Sequence, residues 1–148
     1  MQKRMLFIFN PTTGGGRLKN SLMDILCHLA EGGFAVDVRP TQAQGDARCI
    51  AAEQAAGYDI VVCCGGDGTL NEVLDGMKDL SSMPLLGYIP GGTTCDFASS
   101  LEIPKSNMLA AAKRIINPEK HFACDLGQLN ERAFVYVAAF GAFTNVSY

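Results

Sequence analysis

The sequence predicts an α/β fold built on a doubly wound, mostly parallel sheet with helices on both faces. Three observations support this prediction. Apolar segments of strand type alternate along the chain with segments whose apolar residues have helical spacing. Glycine-rich loops stand at several junctions between a strand and the next helix. The last two apolar segments have no helix between them, which predicts an antiparallel hairpin near the C-terminal end.

The elements can be assigned in chain order from apolar periodicity and from glycine and proline positions. Strands are predicted over residues 5–9, 34–40, 58–64, 84–90, 121–129 and 132–140. Helices are predicted over residues 18–33, 45–57, 69–80 and 107–117. Gly32-Gly33 ends the first helix, Pro118 closely follows the last, and Asn130-Glu131 would form the turn of the hairpin.

Composition and charge exclude several classes of protein. The chain has 148 residues, of which 48% are hydrophobic, and this fits one domain with a buried core. A net charge of −3 without a densely basic stretch argues against nucleic acid as a partner. The longest apolar stretch, AFVYVAAFGAF, is well short of the roughly 18 residues that a membrane-spanning helix needs.

The six cysteines indicate the cellular compartment. Cys63 and Cys64 are adjacent in an apolar run, the others are scattered, and no C-x-x-C pair occurs. This placement supports neither a zinc site nor a redox motif. We expect reduced, mostly buried thiols in a cytoplasmic protein whose contact with a membrane is at most weak and peripheral.

Three glycine-rich loops should meet at one edge of the sheet. They span residues 10–17, 65–69 and 90–98, each after a predicted strand and before a helix. Ligands of open α/β sheets bind beyond the carboxyl ends of the strands. Glycines let backbone N–H groups approach a ligand, and helix N-termini favour anions, so the loops suit phosphate. Neither the Walker A pattern nor the G-x-G-x-x-G fingerprint fits them.

The acid inside the second loop is the strongest candidate for chemistry. Asp67 would repel phosphates unless it holds Mg²⁺, directly or through water, or takes a proton from an attacking hydroxyl. Its structural alternative is a cap on the helix predicted over residues 69–80. Glu72 is either functional or a structural partner of the loop. Asp96 is either the N-cap of a short helix or a polar contact to the nucleotide or acceptor hydroxyl.

The loops together resemble those of the diacylglycerol kinase catalytic domain family, which includes bacterial soluble lipid kinases, ceramide kinases and sphingosine kinases. The resemblance rests on Asn10-Pro11, on GGDGT (65–69) and on PGGTTCDFA (90–98), and it covers nearly the whole chain. Asp125-Leu126-Gly127 and residues 134–141 also resemble the segment after the nucleotide site. GGDGT alone is shared with NAD kinases and, loosely, with phosphofructokinases, whose sheet this fold would resemble.

The resemblance implies ATP-dependent phosphorylation of a lipid hydroxyl, as in diacylglycerol, with Mg²⁺. Asp67 would be the catalytic residue of this segment, with its neighbouring glycines at the phosphates. The candidate nucleotide-binding residues are Asn10, Pro11, Thr12, Gly65, Gly66, Asp67, Gly68, Thr69, Glu72, Gly92, Thr93, Thr94 and Asp96.

Two departures from the family pattern bear on activity. The family usually has Asn before the Asp of its third loop, where this chain has Cys95, and a thiol is a weaker hydrogen-bond partner than an amide. The family also has a second, β-rich domain that supplies further metal-binding acids, the expected catalytic base and part of the lipid cleft. We therefore expect residues 1–148 to form an N-terminal nucleotide-binding domain with little turnover by itself.

Two alternatives remain open at this point. One is an NAD kinase-like enzyme, which shares GGDGT but fits GGTTCDFA poorly. The other is a non-catalytic module that binds nucleotide or self-associates, because an unpaired strand edge invites pairing with another copy into a homo-oligomer.

Overall fold

A computed structural model of the chain describes residues 1–117, 123–129 and 131–134. The strands within them are β1 (Lys3–Phe9), β2 (Phe34–Pro40), β3 (Ile60–Gly65), β4 (Leu85–Pro90), β5 (Gly127–Leu129) and β6 (Arg132–Phe134). The α-helices are α1 (Arg17–Glu31), α2 (Asp46–Gln54), α3 (Asp67–Met77), α4 (Asp96–Ser100) and α5 (Met108–Ile116). Short 3-10 turns cover Thr13–Gly16 and Ala55–Gly57.

The main sheet is four-stranded and parallel, in the order β2-β1-β3-β4. The chain moves from β1 outward to β2 and then returns to place β3 on the other side of β1. This reversal opens a crevice between the carboxyl ends of β1 and β3, the position where ligands bind in open α/β sheets. The predicted fold class is confirmed.

Alternation along the strands builds a core on each face of the sheet. In β1, Leu6 and Ile8 face the layer that contains α2, α3 and α4, whereas Met5 and Phe7 face α1 and α5. The residues of β3 are buried throughout, as expected for a central parallel strand covered on both sides. Packing on both faces makes the sheet a rigid support for the loops at its edge.

The start of α3 differs from the prediction. The helix begins at Asp67, two residues before the predicted start, because Asp67 and Gly68 already adopt helical geometry and Leu70 N–H donates to the Gly66 carbonyl at 3.1 Å. It also ends earlier, at Met77. The second glycine-rich loop is therefore mostly the first turn of a helix.

The predicted hairpin is present, and its described part is short. Gly127 pairs with Phe134 and Leu129 with Arg132 in antiparallel register. Residues 123–126, predicted as strand, have no strand pairing. Residues 118–122, 130 and 135–148, including the predicted turn residue Asn130 and the outer ends of both predicted strands, lie outside the described residues.

Two expectations about surface properties can be compared with the described residues. The cysteines are free, and three are buried, but Cys27, Cys49 and Cys124 are exposed. Mostly buried thiols were therefore a wrong expectation, because Cys27 and Cys49 lie on solvent-facing sides of α1 and α2. No helix in the described part of the chain is long and apolar enough to cross a membrane.

Candidate functional site

The three glycine-rich loops adjoin one another at the carboxyl edge of the sheet. Asn10 N–H donates to the Cys64 carbonyl at 3.1 Å, which extends the β1–β3 ladder into the first loop. Gly91 N–H donates to the Gly65 carbonyl at 3.0 Å, which does the same for the second and third loops. The predicted meeting of the loops is therefore borne out by their backbone hydrogen bonds.

The loops pack so closely that side chains are excluded where they touch. A Cβ on Gly92 would lie 2.8 Å from Gly66 Cα, and one on Gly91 would overlap the Thr13 side chain. Gly68 is different, because a Cβ there would meet no atom beyond its own stretch of α3 within 4 Å. Gly91 and Gly92 are thus needed for the fold, whereas Gly68 leaves open space at the start of α3.

The first loop is shaped by its own side chains. Asn10 Oδ1 accepts hydrogen bonds from Thr12 N–H at 3.0 Å and from the Thr12 hydroxyl at 2.8 Å. Pro11 and Thr12 are exposed beside it. Glycines 14–16 then take left-handed φ angles of 65°, 62° and 93°, a conformation in which glycine carries no Cβ penalty. The loop thereby turns directly into α1.

Asp67 joins the second loop to the third. Its Oδ2 accepts a hydrogen bond from Asp96 N–H at 2.9 Å. Asp67 does not cap α3, whose N-cap is Gly66, and Asp96 does not cap α4, whose N-cap is Cys95. Both capping alternatives were wrong, because each acid is already the first helical residue. The Asp67 carboxylate instead receives the first backbone N–H of the neighbouring helix.

Tyr88 is a site residue that the sequence analysis missed. Its hydroxyl lies 3.0 Å from the Gly65 carbonyl and 3.4 Å from Asp67 Oδ1, and it can donate to either. Burial of the ring raises the Tyr88 pKa, and the hydrogen bond with Cys95 raises it further. The phenol therefore stays protonated and can act as a donor. A tyrosine in the otherwise aliphatic β4, two residues before Pro90, was the available signal.

Cys95 occupies a strained position at the start of α4. Its φ of 45° lies in the left-handed region, which few residues other than glycine and asparagine adopt easily. The side chain is only 1% exposed, and its Sγ lies 3.9 Å from the Gly65 carbonyl. Asparagine adopts this left-handed conformation more readily than cysteine does.

Glu72 serves the scaffold. Its Oε1 accepts a hydrogen bond from Gly45 N–H at 2.9 Å, which ties α3 to the connection between β2 and α2. The structural interpretation of Glu72 therefore gains support. That connection begins at Thr41, whose N–H donates to the Phe9 carbonyl at 2.9 Å. Thr41 thus stands at the same edge as the loops, and only the strand order could have revealed it.

The remaining predicted residues surround the same edge. Thr93 and Thr94 are exposed, and the Thr94 carbonyl accepts a hydrogen bond from Lys105 Nζ at 2.9 Å. Thr69 packs onto Gly65, where an added Cβ would lie 2.8 Å from the threonine Oγ1. The predicted residues are therefore brought to one edge of the sheet, with Glu72 turned toward the Gly45 backbone.

The donor set at this edge limits how a metal ion could be held. Asp67 is partly exposed and Asp96 is exposed, so both carboxylates are accessible. Among the described residues, no group of three or more His, Cys, Asp or Glu side chains could hold a metal ion. Mg²⁺ commonly binds through one or two carboxylates together with water and substrate phosphates, so two accessible acids would be enough protein ligands for it.

Comparison with known proteins assigns the family. The diacylglycerol kinase catalytic domain family matches residues 4–129. The chain belongs to this family. The resemblance drawn from the loops is therefore confirmed.

Individual relatives agree with the assignment to the diacylglycerol kinase catalytic domain family. The diacylglycerol kinase of Bacillus subtilis (strain 168) is 39% identical over 147 residues, which is 99% of this chain and 48% of that protein. The diacylglycerol kinase of Staphylococcus saprophyticus subsp. saprophyticus is 41% identical over 150 residues, 100% of this chain and 48% of that protein. A crystal structure of a diacylglycerol kinase from Bacillus anthracis str. Sterne matches with a TM-score of 0.81 and 36% identity, over 90% of this chain and 46% of that chain. The chain spans about half the length of these relatives.

Proposed function

We propose that this chain is the ATP-binding part of a lipid kinase that transfers the γ-phosphoryl group of ATP to a lipid hydroxyl, with diacylglycerol as the leading substrate. The observation that carries the proposal is the position of Asp67. Its carboxylate is held by Asp96 N–H at 2.9 Å, beside the open space at Gly68. Family membership adds the expectation that ATP is the phosphoryl donor.

Backbone groups would bind the phosphates. The first N–H groups of a helix have no partner within it, and they carry a partial positive charge. At α3 these groups belong to the GGDGT segment, where Gly68 allows an anion to approach without a side chain in the way. The exposed hydroxyls of Thr12, Thr93 and Thr94 could add hydrogen bonds. Phosphoryl transfer depends mainly on such positioning and charge neutralisation.

The carboxylates would act on the reacting groups. Asp67 would orient the attacking hydroxyl or accept its proton, and its contact with Asp96 N–H would keep the carboxylate in place. Mg²⁺, when bound, would neutralise phosphate charge, and Asp67 and Asp96 would hold it through water. The Tyr88 hydroxyl, which contacts both the Gly65 carbonyl and the Asp67 carboxylate, would hold these two groups in a fixed relative position.

The lipid would meet the nucleotide in a larger protein. We propose that the complete protein adds a second, β-rich domain, which supplies the other metal-binding acids and part of the lipid cleft. The chain by itself would then bind nucleotide and turn over little. The complete protein would act in the cytoplasm with weak, peripheral contact with the membrane that holds its substrate.

A panel of acceptors tests this proposal. The longer protein, which is the complete protein with its second domain, would be supplied with labelled ATP and Mg²⁺, together with diacylglycerol, ceramide, sphingosine or NAD. We expect label in diacylglycerol above the other acceptors, and loss of that label in Asp67→Asn. Label transferred to NAD alone would favour the NAD kinase-like alternative. No transfer to any acceptor, together with nucleotide binding, would favour the non-catalytic module.

A further inference from the structure

A buried acid in α3 contacts the C-terminal hairpin. Asp75 is 9% exposed, and its Oδ1 accepts a hydrogen bond from the Ala133 N–H of β6 at 2.8 Å. Lys78 Nζ donates to the same oxygen at 2.9 Å, and Arg48 Nη1 lies 3.8 Å from Oδ2. One carboxylate therefore joins α2, α3 and β6.

The partners keep this carboxylate charged. Burial by itself would raise the Asp75 pKa, but the hydrogen bonds from Ala133 N–H and Lys78, with the charge of Arg48, outweigh it and hold the pKa below its ordinary value. A buried carboxylate is costly without such partners, so the arrangement has a defined geometry. Ala133 is itself buried, which places its N–H out of reach of water.

The contact joins two parts of the chain that are distant in sequence. Ala133 is 58 residues from Asp75. Asp75 stands on the helix that begins at Asp67, eight residues earlier, or about 12 Å along the helix axis. A helix packed on a sheet moves as a rigid unit. Because Asp67 and the partner of β6 both belong to α3, this one helix fixes the position of Asp67 relative to β6.

We propose that Asp75 is a positioning residue for phosphoryl transfer, because it fixes the hairpin against the helix that carries Asp67. The inference rests on the proposed function with its second, β-rich domain, and it adds the expectation that the hairpin leads into that domain. In the complete protein, the Asp75–Ala133 hydrogen bond sets how the acceptor side of the cleft meets the phosphates. It does not touch nucleotide, and its loss should lower kcat while leaving nucleotide affinity unchanged.

Substitutions of Asp75 and its partners can separate the effect of the Ala133 hydrogen bond from the effect of the carboxylate charge. Asparagine at this position keeps an oxygen that can accept from Ala133 N–H, whereas alanine removes it. Lys78→Met removes an ion-pair partner and leaves the Ala133 bond in place. Asp79→Ala, at an exposed acid close by, serves as the matched control.

The test compares these variants in the longer protein. The measurements are kcat with diacylglycerol, the Kd for MgATP, the unfolding midpoint, and hydrogen exchange at the Ala133 amide. In Asp75→Ala we expect kcat to fall about tenfold or more, with the Kd within twofold and the Ala133 amide exchanging faster. Asp75→Asn should restore most of the turnover and protection. Asp79→Ala should behave like the unchanged protein. Lys78→Met should keep the turnover and the Ala133 protection but lower the unfolding midpoint, because it removes an ion-pair partner of the buried carboxylate.

Each outcome decides the inference. Unchanged kcat and unchanged Ala133 protection in folded Asp75→Ala would overturn it, as would a loss of kcat matched by an equal loss of MgATP affinity. If Asp75→Ala does not fold, Asp75→Asn decides, because turnover as low as that of Asp67→Asn would overturn the hydrogen-bond role. If the unchanged protein phosphorylates no lipid, the proposed function fails, and Ala133 exchange alone decides whether Asp75 anchors the hairpin.

Discussion

The carboxylate of Asp67 accepts a 2.9 Å hydrogen bond from the backbone N–H of Asp96, across 29 positions of sequence. The bond joins the first residue of α3 to the first residue of α4. It holds an acid beside loops whose glycines and helix N-termini suit phosphate, and it leaves Asp67 partly exposed. A substitution that keeps this hydrogen bond but removes the carboxylate charge can therefore test the charge of Asp67 by itself.

Asp67→Asn should remove the chemistry and keep the fold. The amide oxygen can still accept from Asp96 N–H, but it cannot take a proton or hold Mg²⁺ through water as a carboxylate does. We expect lipid phosphorylation by the longer protein to fall roughly 10²-fold or more, with the unfolding midpoint nearly unchanged. Steady-state turnover and thermal unfolding measure the two effects. Asp79→Asn is the control, and equal turnover in both variants would refute the role of Asp67.

Cys95→Asn should stabilise the chain. A left-handed residue other than glycine costs about 1–3 kcal/mol, and asparagine tolerates this conformation better than cysteine. A gain of about 1 kcal/mol would raise the unfolding midpoint by about 2–4 °C for a domain of this size. Thermal unfolding checks the gain. Cys95→Ser keeps the strain and should show none, so equal stabilisation by serine would contradict this explanation.

Asp37 should make the chain more stable at neutral pH than in acid. Its carboxylate accepts from the Tyr58 hydroxyl at 2.7 Å and pairs with Arg4 at 3.2 Å, and these contacts lower its pKa from 3.8. The stabilisation is complete above the unfolded pKa and is lost as pH falls through the lower folded pKa. Unfolding midpoints of Asp37→Asn and the unchanged chain should therefore differ at pH 7, and the difference should shrink as the pH falls below 3.8 and through the lowered folded pKa. A gap that is constant with pH would contradict the assignment.

The features that sequence predicted best were those with strong local signals. Alternating apolar segments and glycine-rich junctions were enough to predict the parallel sheet and the edge where its loops meet. The switch point between β1 and β3 then follows from the strand order, which brings the Asn10 loop against Cys64. Loop chemistry and fold were consistent with each other, and the family assignment agrees with both.

Contacts between distant segments could not be predicted from local patterns. The partner of Asp67 lies on another loop, so the capping alternative drawn from the local pattern was wrong for both acids. Tyr88 matters because its strand lies next to β3, and the sequence alone does not state that register. The first turn of α3 was also missed, because glycine and aspartate at a helix start resemble a loop.

Nucleotide binding at the junction of the three loops is the central claim, and Gly68 tests it most directly. A Cβ at Gly68 meets no atom beyond its own stretch of α3 within 4 Å, so Gly68→Ala should fold at least as well as the unchanged chain and gain up to about 1 kcal/mol of helix stability. Gly57→Ala is the matched control, because its Cβ would lie 3.8 Å from Arg4 Nη1 at the amino end of the sheet.

The measurement is calorimetric titration of the chain and both variants with MgATP, and separately with NAD. The account predicts that MgATP binds the unchanged chain and Gly57→Ala alike, and that it binds stable Gly68→Ala about tenfold or more weakly. Equal MgATP affinity in all three would contradict it, because the phosphates would then lie away from the GGDGT segment. Binding of NAD in place of MgATP would contradict it as well.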